Sequence, residues 1–200
     1  MNLPNTLTIS RIVASPLLFL LFFLPDYIPC SFACVVPVIW VLFIAMELTD
    51  VLDGWVARKY GIVTDLGKVL DPFSDVISRL TYFVAFAALG IMHPLLLLLI
   101  VYREVSISFI RMLMYRDGVA MAARAGGKLK AVFYNIGGVL GLVVFSVEGL
   151  AIWPAESPIY GYLRIAATVV FCLAVLLSWT SFLDYVRVFR AARSQRKGQA

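Results

Sequence analysis

The feature that most limits the fold is a succession of apolar runs, all but the first long enough to cross a bilayer. The first runs from Ile12 to Leu24, and others cover about 31–58, 71–92, 95–115, 128–152 and 160–185. A transmembrane helix needs about 20 mainly apolar residues. Over the 200 residues, 62% are hydrophobic and 14% charged, more apolar than a soluble domain of this size requires. The expected fold is an all-α integral membrane protein with six transmembrane helices. It forms a single membrane domain over 1–200, with a basic cytoplasmic tail at about 186–200. No internal repeat is visible. Polar residues and Pro4 ahead of Ile12 predict a short N-terminal interfacial helix leading into the first span. A cleavable leader is disfavoured, because Arg11 is a single basic residue rather than a charged flank.

Turn residues divide the runs. Pro25-Asp26-Tyr27-Ile28-Pro29, His93-Pro94 and the stretch from Trp153 to Pro158 break them. Lys59 to Leu70 reads as a polar turn, with the third span starting at Asp71-Pro72 and proline at a first helical position. Pro37 is a candidate kink in the second span. The connections near 25–30, 92–94 and 153–159 carry no lysine or arginine. Lys59, Lys68, Arg116, Arg124, Lys128, Lys130 and the tail arginines lie on the other side. The positive-inside rule makes that side cytoplasmic and puts both termini there. Arg164 is the exception and is expected to snorkel. The net charge of +5 then needs only anionic headgroups and no nucleic acid. Cys30, Cys34 and Cys172 form no CxxC pair and read as apolar packing.

Four aspartates stand out against this background. The stretch from Asp50 to Asp75 has the form D-x2-D-G-x2-A-R-x8-G-x3-D-x3-D. Asp50 and Asp53 share one helix face, and Asp71 and Asp75 share another. Two helices joined by a turn can bring the four together. Clustered carboxylates beside hydrocarbon need cations to stay ionised. An all-oxygen set points to Mg²⁺ or Mn²⁺, and its size suits two ions.

The pattern Asp50, Asp53, Gly54, Ala57, Arg58, Gly67, Asp71, Asp75 resembles the signature of the CDP-alcohol phosphatidyltransferase family at every fixed position. The resemblance implies transfer of a phosphatidyl group from a CDP-linked lipid to an alcohol, with release of CMP. It implies that Asp50, Asp53, Asp71 and Asp75 bind metal and that Asp75 is also the catalytic base. Gly54 and Ala57 would let a nucleotide approach the helix backbone, and Arg58 would pair with a phosphate or a carboxylate. Asn5 and Thr8 join them as expected contacts of CDP-diacylglycerol. A homodimer is also implied.

Within the family, the opening Asn2-Leu3-Pro4-Asn5-Thr6-Leu7-Thr8 with Arg11 resembles members that use glycerol 3-phosphate as acceptor. So do Tyr102-Arg103-Glu104-Val105 with Arg111, and Gly127-Lys128-Leu129-Lys130. Arg103, Arg111, Lys128 and Lys130 are the cations expected to hold the acceptor's phosphate. One run departs from the group: Asp71-Pro72-Phe73-Ser74-Asp75-Val76 has Ser74 for alanine and Val76 for lysine. Inositol phosphate is therefore the nearest alternative acceptor.

Plainer readings stand beside these. The aspartates have Arg58, Arg79 or Lys68 as ion-pair partners, and Arg79 is expected to pair with a carboxylate. Glu47 is a supporting or a structural residue. Arg103 and Glu104 are adjacent and do not face each other on a helix, so each is expected to find another partner. Lys128 and Lys130 also serve as inside-positive anchors. His93 is expected to be inert. A small transporter is the non-enzyme alternative, but it calls for ionisable groups at mid-membrane and for repeats.

Overall fold

The computed structural model describes residues 3–28, 31–60, 65–116 and 125–197. Its regular structure is entirely helical: α1 (Leu3–Tyr27), α2 (Phe32–Tyr60), α3 (Asp65–Ala88), α4 (Pro94–Arg116), α5 (Ala125–Gly149) and α6 (Pro158–Lys197). Four of the six are long and apolar enough to cross a membrane, over Asn5–Tyr27, Phe32–Leu52, Leu129–Gly149 and Pro158–Arg190. Such helices mark a membrane protein. The remaining two carry more charge: Asp71, Asp75 and Arg79 on α3, and Arg103, Glu104 and Arg111 on α4. α3 packs against α1, α2, α4 and α5, so its neighbours can shield that charge.

The outer surface is apolar in helical stripes. Val13, Leu17 and Leu20 are exposed on α1, Val41, Ile44 and Leu48 on α2, and Ile165, Val169 and Leu176 on α6. Water would penalise such a surface, and lipid would not. The interior is aromatic. Phe22, Tyr82, Phe83, Phe86, Tyr134 and Phe171 are buried together and meet mostly edge to face. Gly141 on α5 lets Phe86 approach; a Cβ there would meet the ring at 2.3 Å.

Several helix ends differ from expectation. No break separates an interfacial helix from the first span: α1 is continuous and holds Pro16 and Pro25. Membrane helices tolerate proline where neighbours and side chains satisfy the freed backbone groups. α3 begins at Asp65, so Pro72 lies inside it rather than at its start. The polar turn is correspondingly shorter, since α2 runs to Tyr60. The basic tail continues α6 as helix to Lys197, a stretch rich in the helix formers alanine, arginine and glutamine.

The turns are capped in recognisable ways. Gly90 (φ 72°) ends α3. The Ile91 amide donates to the Phe86 carbonyl at 2.8 Å and the Gly90 amide to Ala87 at 3.2 Å, the two bonds of a Schellman motif. Ala151 (φ 49°) does the same after α5, with Ile152 donating to Val147 and Ala151 to Glu148, both at 3.1 Å. The His93 imidazole Nδ1 accepts the Leu95 amide at 3.2 Å and caps α4. Arg164 is paired rather than merely snorkelling. It donates to Glu148 at 2.7 Å and to the Gly90 carbonyl at 2.5 Å. Glu148 also accepts from the Tyr160 hydroxyl.

Candidate active site

The polar residues of α1 recur at helical spacing: Asn5, Thr8, Arg11 and Ser15, all buried. They form one stripe that meets a matching stripe on α3, Asp71, Ser74, Asp75 and Ser78. The Thr8 hydroxyl donates to Asp71 Oδ1 at 2.9 Å. The Ser74 hydroxyl donates to the Thr8 carbonyl at 3.2 Å. Ser15 and Ser78 share a hydrogen bond of 3.3 Å. Ser74, one of the two departures from the family pattern, is thus a tie between α1 and α3. Thr8, expected against the lipid nucleotide, orients a carboxylate.

Arg11 is the centre of the arrangement. Its Nη1 lies 2.6 Å from Asp50 Oδ1 and 3.0 Å from Asp75 Oδ1. One nitrogen therefore joins α1, α2 and α3. The guanidinium is 3% exposed, while the carboxylates are 32% and 28% exposed, so the aspartates keep a face open to the exterior. Arg79 approaches the other oxygen, Asp75 Oδ2, at 3.6 Å. The expected pairing of Arg79 with a carboxylate is present. The spacing of Arg11 within a polar stripe was the available signal for its role, because a buried arginine in an apolar helix requires an acidic partner.

Asp50 and Asp75 thus converge on one cationic position, and Asp71 lies one turn before Asp75. Carboxylate oxygens are the donors a hard divalent ion takes, and the point on which Asp50 and Asp75 converge is held here by the Arg11 guanidinium. Among the described residues no three metal-ligating side chains gather into one group. Asp53, Gly54, Ala57 and Arg58 lie on the last turns of α2, and their side chains are outside the described residues. The side chain of Lys128 is outside them as well.

A second charged cluster joins α4, α5 and α6. Glu104 Oε1 accepts from Arg103 Nη1 at 2.9 Å and from Lys130 Nζ at 2.8 Å. Adjacent residues on a helix thus do pair here, contrary to expectation, because the arginine is long enough to turn back around its own helix. Arg103 also donates to the Ser178 carbonyl at 3.1 Å and reaches Ser181 Oγ at 3.5 Å. Lys130 Nζ stands 4.7 Å above the Tyr134 ring, a cation–π contact. All three charges are buried. Arg111 is exposed and stacks over Tyr185 at 5.8 Å. Glu47, one turn before Asp50, accepts from Asn135 Nδ2 at 2.9 Å and so ties α2 to α5.

A membrane helix bundle with aspartates gathered at one end is the setting for chemistry on a lipid phosphate. The chain matches the family CDP-alcohol phosphatidyltransferase over residues 1–180, and it belongs to that family. It is accordingly a transferase of phospholipid biosynthesis rather than a transporter. It is 36% identical over 151 residues to the CDP-diacylglycerol–glycerol-3-phosphate 3-phosphatidyltransferase of Treponema pallidum, covering 74% of this chain and 68% of that one. It is 32% identical over 185 residues to a Mycobacterium tuberculosis protein named "Probable phosphatidylglycerophosphate synthase", covering 92% and 80%. The Bacillus subtilis CDP-diacylglycerol–glycerol-3-phosphate 3-phosphatidyltransferase is 28% identical over 172 residues, covering 77% and 87%.

Proposed function

We propose that this protein transfers the phosphatidyl group of CDP-diacylglycerol to glycerol 3-phosphate, giving phosphatidylglycerophosphate and CMP. The observation that carries the chemistry is the convergence of Asp50 and Asp75 on one cation position. The acceptor is supported by the names of the relatives.

Asp50, Asp53, Asp71 and Asp75 would hold Mg²⁺ or Mn²⁺, in a set large enough for two ions. Bound there, the metal supplies positive charge to the diphosphate and to the departing CMP. Thr8 and Arg11 hold the carboxylates in position from α1. Asn5, Gly54, Ala57 and Arg58 bind the CDP-lipid, with the two small residues admitting the nucleotide to the α2 backbone. Asp75 takes the proton of the acceptor hydroxyl. As that oxygen bonds to the phosphatidyl phosphorus, the bond from phosphorus to the CMP oxygen breaks, and its electron pair leaves with CMP. Arg103, Arg111, Lys128 and Lys130 bind the acceptor's phosphate, with Glu104 fixing Arg103 and Lys130.

The whole chain, 1–200, acts as one membrane domain in the cell membrane. Six spans, both termini inside and a cytoplasmic active site follow from the one-sided placement of lysine and arginine. The functional unit is a homodimer. The deciding experiment offers purified protein CDP-diacylglycerol with a panel of acceptors and identifies the lipid by mass spectrometry. Phosphatidylglycerophosphate and CMP should form with Mg²⁺ or Mn²⁺ and vanish in EDTA. Formation of phosphatidylinositol phosphate instead would transfer the assignment to the other acceptor.

A further inference from the structure

Arg79, half-buried, differs from the buried cations in how it is used. Arg11 is engaged by Asp50 and Asp75, and Arg103 and Lys130 meet on a single oxygen of Glu104. Arg79 has the 3.6 Å ion pair with Asp75 and, among the described residues, no hydrogen bond. A guanidinium carries five N–H donors, so most of its capacity is unspent. Its side chain is 15% exposed, which leaves it reachable. It lies within electrostatic range of Glu47, Asp50, Tyr82, Glu104 and Lys130. The neighbouring Tyr82 hydroxyl is buried and has no hydrogen-bond partner among the described residues, an exception in a folded interior.

We propose that Arg79 receives the phosphate of the acceptor, together with the α4 and α5 cations, and so selects phosphorylated over neutral alcohols. This rests on the glycerol 3-phosphate acceptor proposed above. Asp75 and Arg79 are one turn apart on the same face of α3, with their charged ends 3.6 Å apart, so a phosphate on Arg79 lies beside the Asp75 carboxylate. A three-carbon acceptor has its reacting hydroxyl at one end and its phosphate at the other. With the phosphate on Arg79, the hydroxyl is brought to Asp75. A planar guanidinium binds phosphate through two parallel hydrogen bonds. The Val76 departure removes a cation beside Asp75, and Arg79 supplies one on the same face three residues later.

The test compares wild-type protein with Arg79→Gln and Arg79→Lys in mixed micelles of CDP-diacylglycerol, with glycerol 3-phosphate or glycerol as acceptor. Arg79→Gln should raise KM for glycerol 3-phosphate roughly ten- to hundredfold, the scale of one lost charged hydrogen-bonding group. KM for CDP-diacylglycerol should stay within about twofold, and the preference for glycerol 3-phosphate over glycerol should fall by the same factor. Arg79→Lys should recover part of the affinity, since it keeps the charge but not the two parallel hydrogen bonds. A loss of kcat with both KM values unchanged would overturn the proposal and leave Arg79 as a support for Asp75. An inactive Arg79→Lys would overturn it too, because charge would then not be the property in use. If wild-type protein accepted no phosphorylated alcohol, the acceptor proposed above would itself fall, and that outcome is visible before any variant is made.

Discussion

Arg11 and Asp75 carry opposite kinds of consequence at the residue scale. Arg11 places one buried positive charge between two carboxylates on different helices. Removing one partner of such a group costs about 3 kcal/mol, the lower end for buried pairs because the carboxylates are partly exposed. Arg11→Met should therefore lower the melting temperature in detergent with EDTA. Mn²⁺ should recover more of the loss in the variant than it adds to wild type, since the ion replaces the missing charge. Equal effects of Mn²⁺ on both proteins would separate Arg11 from the cation position. Asp75→Asn keeps the size and one oxygen ligand but removes the proposed base. Loss of a positioned base costs roughly two to four orders of magnitude in rate. The variant should still bind CDP-lipid and metal while losing most of kcat. Rescue of the rate by excess Mg²⁺ would show that Asp75 acts as a ligand alone.

Single positions also decide how the elements begin and end. Ala151 sits at φ 49° after α5, where a side chain crowds the backbone. The left-handed region costs a non-glycine residue roughly 1–2 kcal/mol, and the Schellman motif favours glycine there. Ala151→Gly should raise the melting temperature in detergent and leave turnover unchanged, because the turn is remote from the aspartates. A lower melting temperature would mean that the Ala151 methyl packs against something the backbone geometry does not reveal. The pairing of α1 with α3 is the other event at this scale. Thr8, Arg11 and Ser15 lock onto Asp71, Asp75 and Ser78, so the N-terminal helix belongs to the site rather than to a detachable interfacial anchor.

For the whole molecule, the arrangement of charge is what supports the proposed topology. Lysines and arginines cluster at the end of the bundle where α2 and α4 finish and α3 and α5 begin. A reporter fused after Ala200 should be active in the cytoplasm only, and a signal outside the cell would overturn six spans with both ends inside. The existence of the helices, their approximate extents and the aspartate pattern were legible in the sequence, because hydropathy and residue spacing along one helix are local properties. Which helices become neighbours is not local. The bonds from Arg11 to Asp50 and Asp75, from Ser74 to Thr8, and from Lys130 to Glu104 join residues 26 to 66 positions apart. The Arg103–Glu104 contact depended on side-chain reach, which helical spacing does not describe. Chain chemistry by itself determined that four carboxylates had to lie at one end of an apolar bundle and meet cations. Only the packing of α1 against α2 and α3 decided that Arg11 joins Arg79 on Asp75, because buried charge is satisfied by whatever the neighbouring helix brings within hydrogen-bonding distance.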